Sequence, residues 1–262
     1  MELEQDATEG ETLSFSALHR RLVDKWMAYA PERWLGDFVD IRFFLVWRLM
    51  SLRDQQILDA GCNAGIMASE IAARGNGVTG LDNDFQALEI YRKLFRDSEL
   101  EPLTVCGSWN SLMFAKESFD SIVLGWTLYY DRSDANKAAT IAGLAGALKH
   151  GGSIYFVESN RDCFIQGRGE DCFWTAQDAI AFFESHGFKI TEALGWNPLP
   201  SLVFWLPRPW KAKIPKEVLK FLYPPGKIIR FFPGWFSLFR LAGKCRPLWK
   251  YCRTYYLRAE KT

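Results

Sequence analysis

The sequence predicts an α/β fold in which a largely parallel sheet is covered by helices on both faces. From residue 55 onward, short apolar segments of strand length alternate with longer segments whose apolar residues recur at three- and four-residue steps. Repeated strand–helix units of this kind form parallel sheets. The chain has 262 residues, 48% of them hydrophobic and 24% charged, which suffices for one such domain with elaborations.

Seven strands and four core helices follow from this alternation. The predicted strands cover residues 56–59, 77–81, 103–106, 119–125, 153–158, 188–193 and 253–258. The predicted helices cover residues 67–74, 85–96, 135–148 and 175–186, the last with Thr175 as N-cap and Gly187 as its stop.

Regions outside this core complete the domain organisation. Residues 1–54 are predicted to form a helical cap, in which Pro31 separates two helices. Residues 55–196 form the core, and residues 251–262 supply its final strand. Between them lies an insertion, residues 197–250, and connections of this length inside a compact domain usually carry function.

A glycine-containing turn follows the first predicted strand. The segment Asp59-Ala60-Gly61-Cys62-Asn63-Ala64-Gly65 leads directly into a helix. Ligands of such sheets bind outside the carboxyl ends of the strands, and glycines let a ligand approach the backbone closely. The spacing is G-x-N-x-G, whereas a dinucleotide fingerprint requires G-x-G-x-x-G, which disfavours a nicotinamide oxidoreductase.

This turn resembles motif I of the class I S-adenosylmethionine (SAM)-dependent methyltransferases, D-x-G-C-G-x-G. Asp82, at the end of the second predicted strand, matches the second acidic position of that family. Residues 106–109, 119–125 and 148–152 resemble later family motifs in the same order. The resemblance therefore implies a seven-stranded, Rossmann-like methyltransferase sheet with SAM as cofactor.

The resemblance also implies roles for individual residues. Gly61 and Gly65 would line the methionine part of SAM with Asp59 below the turn, and Asp82 would accept hydrogen bonds from both ribose hydroxyls. Trp109 would stack on the adenine. The cofactor-binding residues implied are Asp59, Gly61, Asn63, Gly65, Asp82, Asn83, Ser108, Trp109 and Gly125.

Two residues depart from the family pattern. Asn63 replaces the middle glycine of motif I, and we expect it to keep the turn because Asn tolerates positive φ better than other non-glycine residues. Ser108 stands where many members carry an Asp that holds the adenine amino group, which weakens that predicted contact.

The sequence does not single out a catalytic base. Methyl transfer from a sulfonium requires alignment of a nucleophile, and a base only when the nucleophile arrives protonated. The candidates are Tyr129, Tyr130, Asp131, Glu158 and His19. An alternative role for the strand-end candidates is to shape the pocket or to cap a helix. Strand four also lacks the motif of enzymes that methylate nucleobases or glutamine, which favours a small-molecule or lipid-like acceptor.

Charge is segregated along the chain. Residues 1–196 carry a net charge of −11 and residues 197–262 a net charge of +12, and the second region interleaves Lys and Arg with Trp and Phe. Three interpretations stay open: a cap that packs over the substrate, a cap that also contacts an anionic membrane surface, or a nucleic-acid surface, in decreasing order.

The remaining composition bounds the function. The six cysteines show no zinc spacing, so we predict no metal site. No signal peptide or spanning segment is apparent, and we predict a cytoplasmic, peripherally membrane-associated protein. The predicted function is SAM-dependent methylation of a hydrophobic small-molecule or lipid-like acceptor. The alternative is a catalytically inactive methyltransferase-like module that binds a membrane or a protein partner.

Overall fold

The fold was analysed in a computed structural model of the chain. The structure describes residues 48–49, 51–72, 74–95, 103–108, 114–161, 174–196, 243–252 and 254–262. Predictions for residues 1–47, including His19, lie outside the described residues, as do those for Trp109 and for residues 197–242.

Seven strands form one sheet in the order β3-β2-β1-β4-β5-β7-β6. They are β1 (Gln56–Ala60), β2 (Gly77–Asp82), β3 (Leu103–Cys106), β4 (Phe119–Gly125), β5 (Leu148–Ser159), β6 (Phe188–Trp196) and β7 (Thr254–Lys261). The pairs among β1 to β5 are parallel, whereas β7 pairs antiparallel with both β5 and β6. The order reverses beside β1, so β1 and β4 flank the switch point at which such sheets bind ligands.

Four α-helices cover the two faces of the sheet. They are α1 (Ile66–Ala72), α2 (Phe85–Phe95), α3 (Asp134–Ala147) and α4 (Ala176–Ser185). Side chains of α1 and α2 pack in one buried cluster, and those of α3 and α4 pack in the other. Neighbouring residues of a strand alternate between the clusters, as Ile57 and Leu58 do, because successive side chains point to opposite faces.

Local signals fix where the last two helices begin. The Ser133 hydroxyl accepts a hydrogen bond from the N–H of Asn136 at the start of α3. At α4, Thr175 and Asp178 form a reciprocal capping box, with both hydrogen bonds at 3.0 Å. The predicted Thr175 N-cap is thus confirmed.

The observed elements agree with the predicted fold and correct it in two places. β5 begins at Leu148, five residues before its predicted start, and therefore contains the glycine turn that was predicted to precede it. β7 runs antiparallel, so the sheet is mixed rather than fully parallel. Its side chains fill the space between β5 and β6, and Leu257 and Ala259 are fully buried. Among the described helices, none is long and apolar enough to cross a membrane.

Candidate functional site

The turn between β1 and α1 has the backbone geometry that its sequence predicts. Gly61, Asn63 and Gly65 have φ values of 81°, 50° and 75°, in the left-handed region. The Asn63 side chain stabilises its own conformation, because its Oδ1 accepts a hydrogen bond of 2.7 Å from the N–H of Ala64. The prediction that Asn63 keeps the turn is confirmed.

Asp82 joins this turn to the ends of β2 and β3. One carboxylate oxygen accepts a hydrogen bond of 2.8 Å from the N–H of Asn63, and the other accepts one of 2.9 Å from the N–H of Asp84. The Asp82 carbonyl accepts a hydrogen bond from Gly107 after β3. The half-buried carboxylate is therefore held in place, and each oxygen retains a lone pair for a further donor.

Tyr91 of α2 packs beneath the turn and was not predicted as part of the site. A Cβ at Gly65 would lie 2.0 Å from its ring, and a Cβ at Gly80 would lie 2.9 Å from it. The ring is fully buried, and burial together with the charge of Asp59 raises the pKa of the Tyr91 hydroxyl. Glycine at position 65 is therefore required by both its φ and the close approach of Tyr91.

The other predicted cofactor residues surround Asp82. Asp59 is fully buried in β1, below the turn as predicted. Asn83 directly follows β2 and is exposed, while Ser108 lies half-buried beyond the end of β3. Gly125 is buried at the carboxyl end of β4, next to the switch point.

Trp126 follows Gly125 and was not predicted as a site residue. It is 8% exposed and has φ 52°, an uncommon conformation for a bulky residue. Its N–H donates a hydrogen bond of 2.9 Å to the Val157 carbonyl of β5. The chain therefore turns sharply at the carboxyl end of β4.

A short 3₁₀ helix, Leu128–Tyr130, carries two of the predicted catalytic candidates. The Tyr129 and Tyr130 rings lie with their centroids 4.0 Å apart, and Tyr130 is 65% exposed. Together the two rings present an aromatic surface at the edge of the sheet where ligands of this fold bind.

Glu158 fixes this turn from below. Its side chain is 2% exposed and accepts hydrogen bonds from the N–H of Tyr129, at 3.3 Å, and from the N–H of Ser159, at 2.9 Å. Burial raises the pKa of Glu158 to about 8, although these two donors and the charge of Lys137 oppose the shift. The side chain thus combines a positioning role with a proton affinity near neutral pH.

Asp131 has a partner within the fold. It is 8% exposed and accepts a hydrogen bond of 2.9 Å from the hydroxyl of Thr140 in α3. Nearby, the buried Lys137 ammonium lies 4.5 Å from the centroid of the Trp174 ring. This arrangement favours a structural role for Asp131, anchoring α3 to the 3₁₀ helix.

Comparison with known proteins places this geometry in a family. Residues 57–152 match the family model described as a methyltransferase domain. The chain contains a class I SAM-dependent methyltransferase domain. The match begins in β1 and ends within β5, so it includes the glycine turn, Asp82 and the 3₁₀ helix.

Curated relatives and solved structures agree with this assignment. The ubiquinone biosynthesis O-methyltransferase of Aromatoleum aromaticum is 26% identical over 161 residues, 61% of this chain and 66% of that protein. The matches span 46–66% of the length of three such relatives. A SAM-dependent methyltransferase from Methanosarcina mazei superimposes with a TM-score of 0.55 at 16% identity, covering 82% of this chain and 96% of that one. The [4+2]-cyclase SpnF superimposes with a TM-score of 0.57 at 18% identity, covering 85% and 80%.

The site residues fit SAM, the cofactor that the family implies. A diol needs an acceptor, and Asp82 offers a fixed carboxylate with a lone pair left on each oxygen. Gly61 and Gly65 carry no Cβ where the turn passes the carboxyl edge. We therefore assign Asp82 to the ribose and the turn to the methionine part of SAM.

Proposed function

We propose that the chain transfers a methyl group from SAM to a hydrophobic small-molecule or lipid-like acceptor. The observation that carries the proposal is the Asp82 carboxylate, which the 61–65 turn holds at the switch point of a methyltransferase domain. The relatives are named for O-methylation in ubiquinone biosynthesis, which supports a hydrophobic acceptor and oxygen as the methylated atom.

The chain's own residues bind and align the reactants. Bound SAM supplies a methyl group on a sulfonium, which is already a good leaving group. The protein has to fix the acceptor in line with that methyl and exclude water. Tyr129 and Tyr130 offer an aromatic surface for an apolar acceptor, and Glu158 holds the backbone beneath them.

Acceptor labelling tests the proposal. The full chain is incubated with a cell extract and methyl-labelled SAM, and lipid-soluble and water-soluble fractions are analysed by mass spectrometry. We expect a labelled apolar product, and we expect Asp82→Asn to reduce it while Glu89→Gln, an exposed change of equal charge on α2, does not. Absence of any labelled product from a chain that binds SAM would contradict the proposal.

A second candidate function is a methyltransferase-like module without methyl-transfer activity. Its support is that the fold also occurs in a protein named as a [4+2]-cyclase, together with the departure at Ser108. The departure at Asn63 no longer supports it, because Asn63 adopts the required turn. SAM binding without labelled product in any extract fraction would favour this module.

For location, we propose a cytoplasmic protein that contacts anionic membranes through residues 197–250. The support is the net charge of +12 over residues 197–262 and the aromatic residues interleaved with it. Flotation with anionic vesicles tests this contact. Replacing Lys211, Lys213 and Lys216 by Gln should reduce flotation, whereas the same change at Lys93, Lys116 and Lys189 should not. Equal flotation of both variants would contradict the contact.

A further inference from the structure

A cleft of about 210 Å³ lies at the carboxyl end of β5, away from the glycine turn. Three segments form it: Asn160 just after β5, the first turn of α4, and the 3₁₀ helix Arg246–Tyr251 that precedes β7. β7 runs antiparallel to β5, so the start of β7 lies at the same edge of the sheet as the end of β5. The cleft therefore opens at the edge where SAM is assigned, two strands beyond β1.

The charge of the cleft is one-sided. Arg246 and Lys250 line it, and no carboxylate is among the described residues that do so. Asp178 lies nearby in the first turn of α4, but it forms a 2.8 Å ion pair with Arg161 and accepts within the capping box. The two lining cations thus leave a positive potential that favours an anion.

Buried contacts hold the lining residues in place. The Asn160 amide is 2% exposed and donates hydrogen bonds of 2.9 Å and 3.0 Å to the carbonyls of Trp249 and Cys252. The Trp249 indole N–H donates to Gly243 at 2.7 Å, and the Arg246 guanidinium lies 5.8 Å from the Trp249 ring centroid. Arg246 is thereby presented from a fixed 3₁₀ helix rather than from an isolated surface position.

The size of the cleft limits what it holds. Pockets for whole drug-sized ligands have volumes of roughly 300–1,000 Å³, so about 210 Å³ suits one group of a larger molecule. Arginine and lysine with neighbouring amide and hydroxyl donors, here Gln177 and Thr175, are the groups that bind phosphate or carboxylate.

We propose that this cleft binds an oxyanion, phosphate or carboxylate, carried by the methyl acceptor. The inference rests on the proposed methyltransferase function. It adds a polar subsite to an acceptor that is otherwise apolar: the oxyanion lies between Arg246 and Lys250, while the apolar part extends along the sheet edge toward Tyr130.

The test titrates inorganic phosphate into the full-length protein at constant ionic strength. Two-dimensional NMR follows the Trp249 indole N–H and the Asn160 side-chain amide. We expect saturable shifts at both, and we expect Arg246→Gln with Lys250→Gln to weaken phosphate binding by about tenfold or more, because two charge-assisted contacts are lost. Lys93→Gln with Lys189→Gln removes the same charge from exposed positions elsewhere and should leave phosphate binding unchanged.

Calorimetry with S-adenosylhomocysteine on the same proteins separates this inference from the proposed function. Unchanged cofactor affinity with lost phosphate binding supports a distinct subsite. Phosphate binding without any cofactor binding would overturn the proposed function and leave the cleft as an anion site. Shifts that do not saturate, or that respond equally in the control variant, would overturn the subsite.

Vesicle flotation distinguishes the source of the oxyanion. If the group is a lipid headgroup, phosphatidic acid in phosphatidylcholine vesicles should retain the wild type, and Arg246→Gln with Lys250→Gln should release it. If phosphate binds but retention is the same for both proteins, the oxyanion belongs to a soluble acceptor. Either result supports the subsite and names its source.

Discussion

The two halves of the sheet edge are built in different ways. In the cofactor half, around β1 to β3, a five-residue turn and one carboxylate fix each other through backbone hydrogen bonds. In the acceptor half, around β4, β5 and β7, the contacts join residues far apart in sequence, such as Asn160 to Trp249 and Cys252. Local geometry therefore specifies the cofactor, whereas tertiary packing shapes the acceptor site.

The largest effect should come from Gly65→Ala. The new Cβ would adopt an unfavourable φ and lie 2.0 Å from the buried Tyr91 ring, which together cost about 2–5 kcal/mol. We expect SAM binding to be lost in calorimetry and the free energy of unfolding to fall. Gly151→Ala is the matched control, because Gly151 has φ 73° and nothing within 4 Å of the new Cβ. If both variants lose the same stability, the Tyr91 contact is not what requires glycine.

Asp82→Asn should have the next largest effect. The amide nitrogen cannot accept a hydrogen bond, so the variant loses an acceptor for the turn or for the ribose. We expect SAM affinity to fall by about 10- to 100-fold, equivalent to roughly 1.4–2.8 kcal/mol. Glu89→Gln removes the same charge on α2 and should keep the wild-type affinity. Equal affinities of the two variants would remove Asp82 from the ribose contact.

Asn160 and Asn76 offer a direct comparison of the two halves. Each is a buried amide that donates to two carbonyls, Asn76 to Leu52 and Ile71 beside β1, and Asn160 in the acceptor half. Replacing either by Ala should lower the free energy of unfolding by about 2–3 kcal/mol, because two buried carbonyls lose their donor. Only Asn160→Ala should alter phosphate binding. Loss of phosphate binding in Asn76→Ala as well would show a global rather than a local effect.

Glu158→Gln should have the smallest effect and should depend on pH. Its folded-state pKa is about 8, above the ordinary 4.5, so the folded chain holds a proton that the unfolded chain releases between these values. Wild-type stability is favoured below about pH 4.5 and falls as pH rises toward 8, by up to about 1 kcal/mol per pH unit. Denaturation at pH 5 and pH 8, chosen as roughly the two ends of this window, should show a weaker pH dependence in the variant. An unchanged dependence would mean that Glu158 does not titrate there.

The sequence predicted most of the cofactor half because its signals are local. Asn63 and its flanking glycines lie next to one another, and the structure confirms the left-handed turn. Tyr91 was predicted to lie on the apolar face of its helix, but its packing under Gly65 depends on how α2 lies against α1. No sequence spacing carries that information.

The acceptor half was predicted only in outline. Tyr129, Tyr130 and Glu158 were candidates because they follow strands, and the structure brings Glu158 under Tyr129 across 29 residues. The antiparallel β7 and the cleft beside Asn160 were missed, because both result from pairing β7 between β5 and β6. Such long-range pairing leaves no periodic signal along the chain.

Calorimetry of the full-length protein with S-adenosylhomocysteine tests the central claim most directly. The account predicts saturable binding at one site, weakened by about tenfold or more in Asp82→Asn and unchanged in Glu89→Gln. A folded wild-type protein that binds neither SAM nor S-adenosylhomocysteine would contradict it.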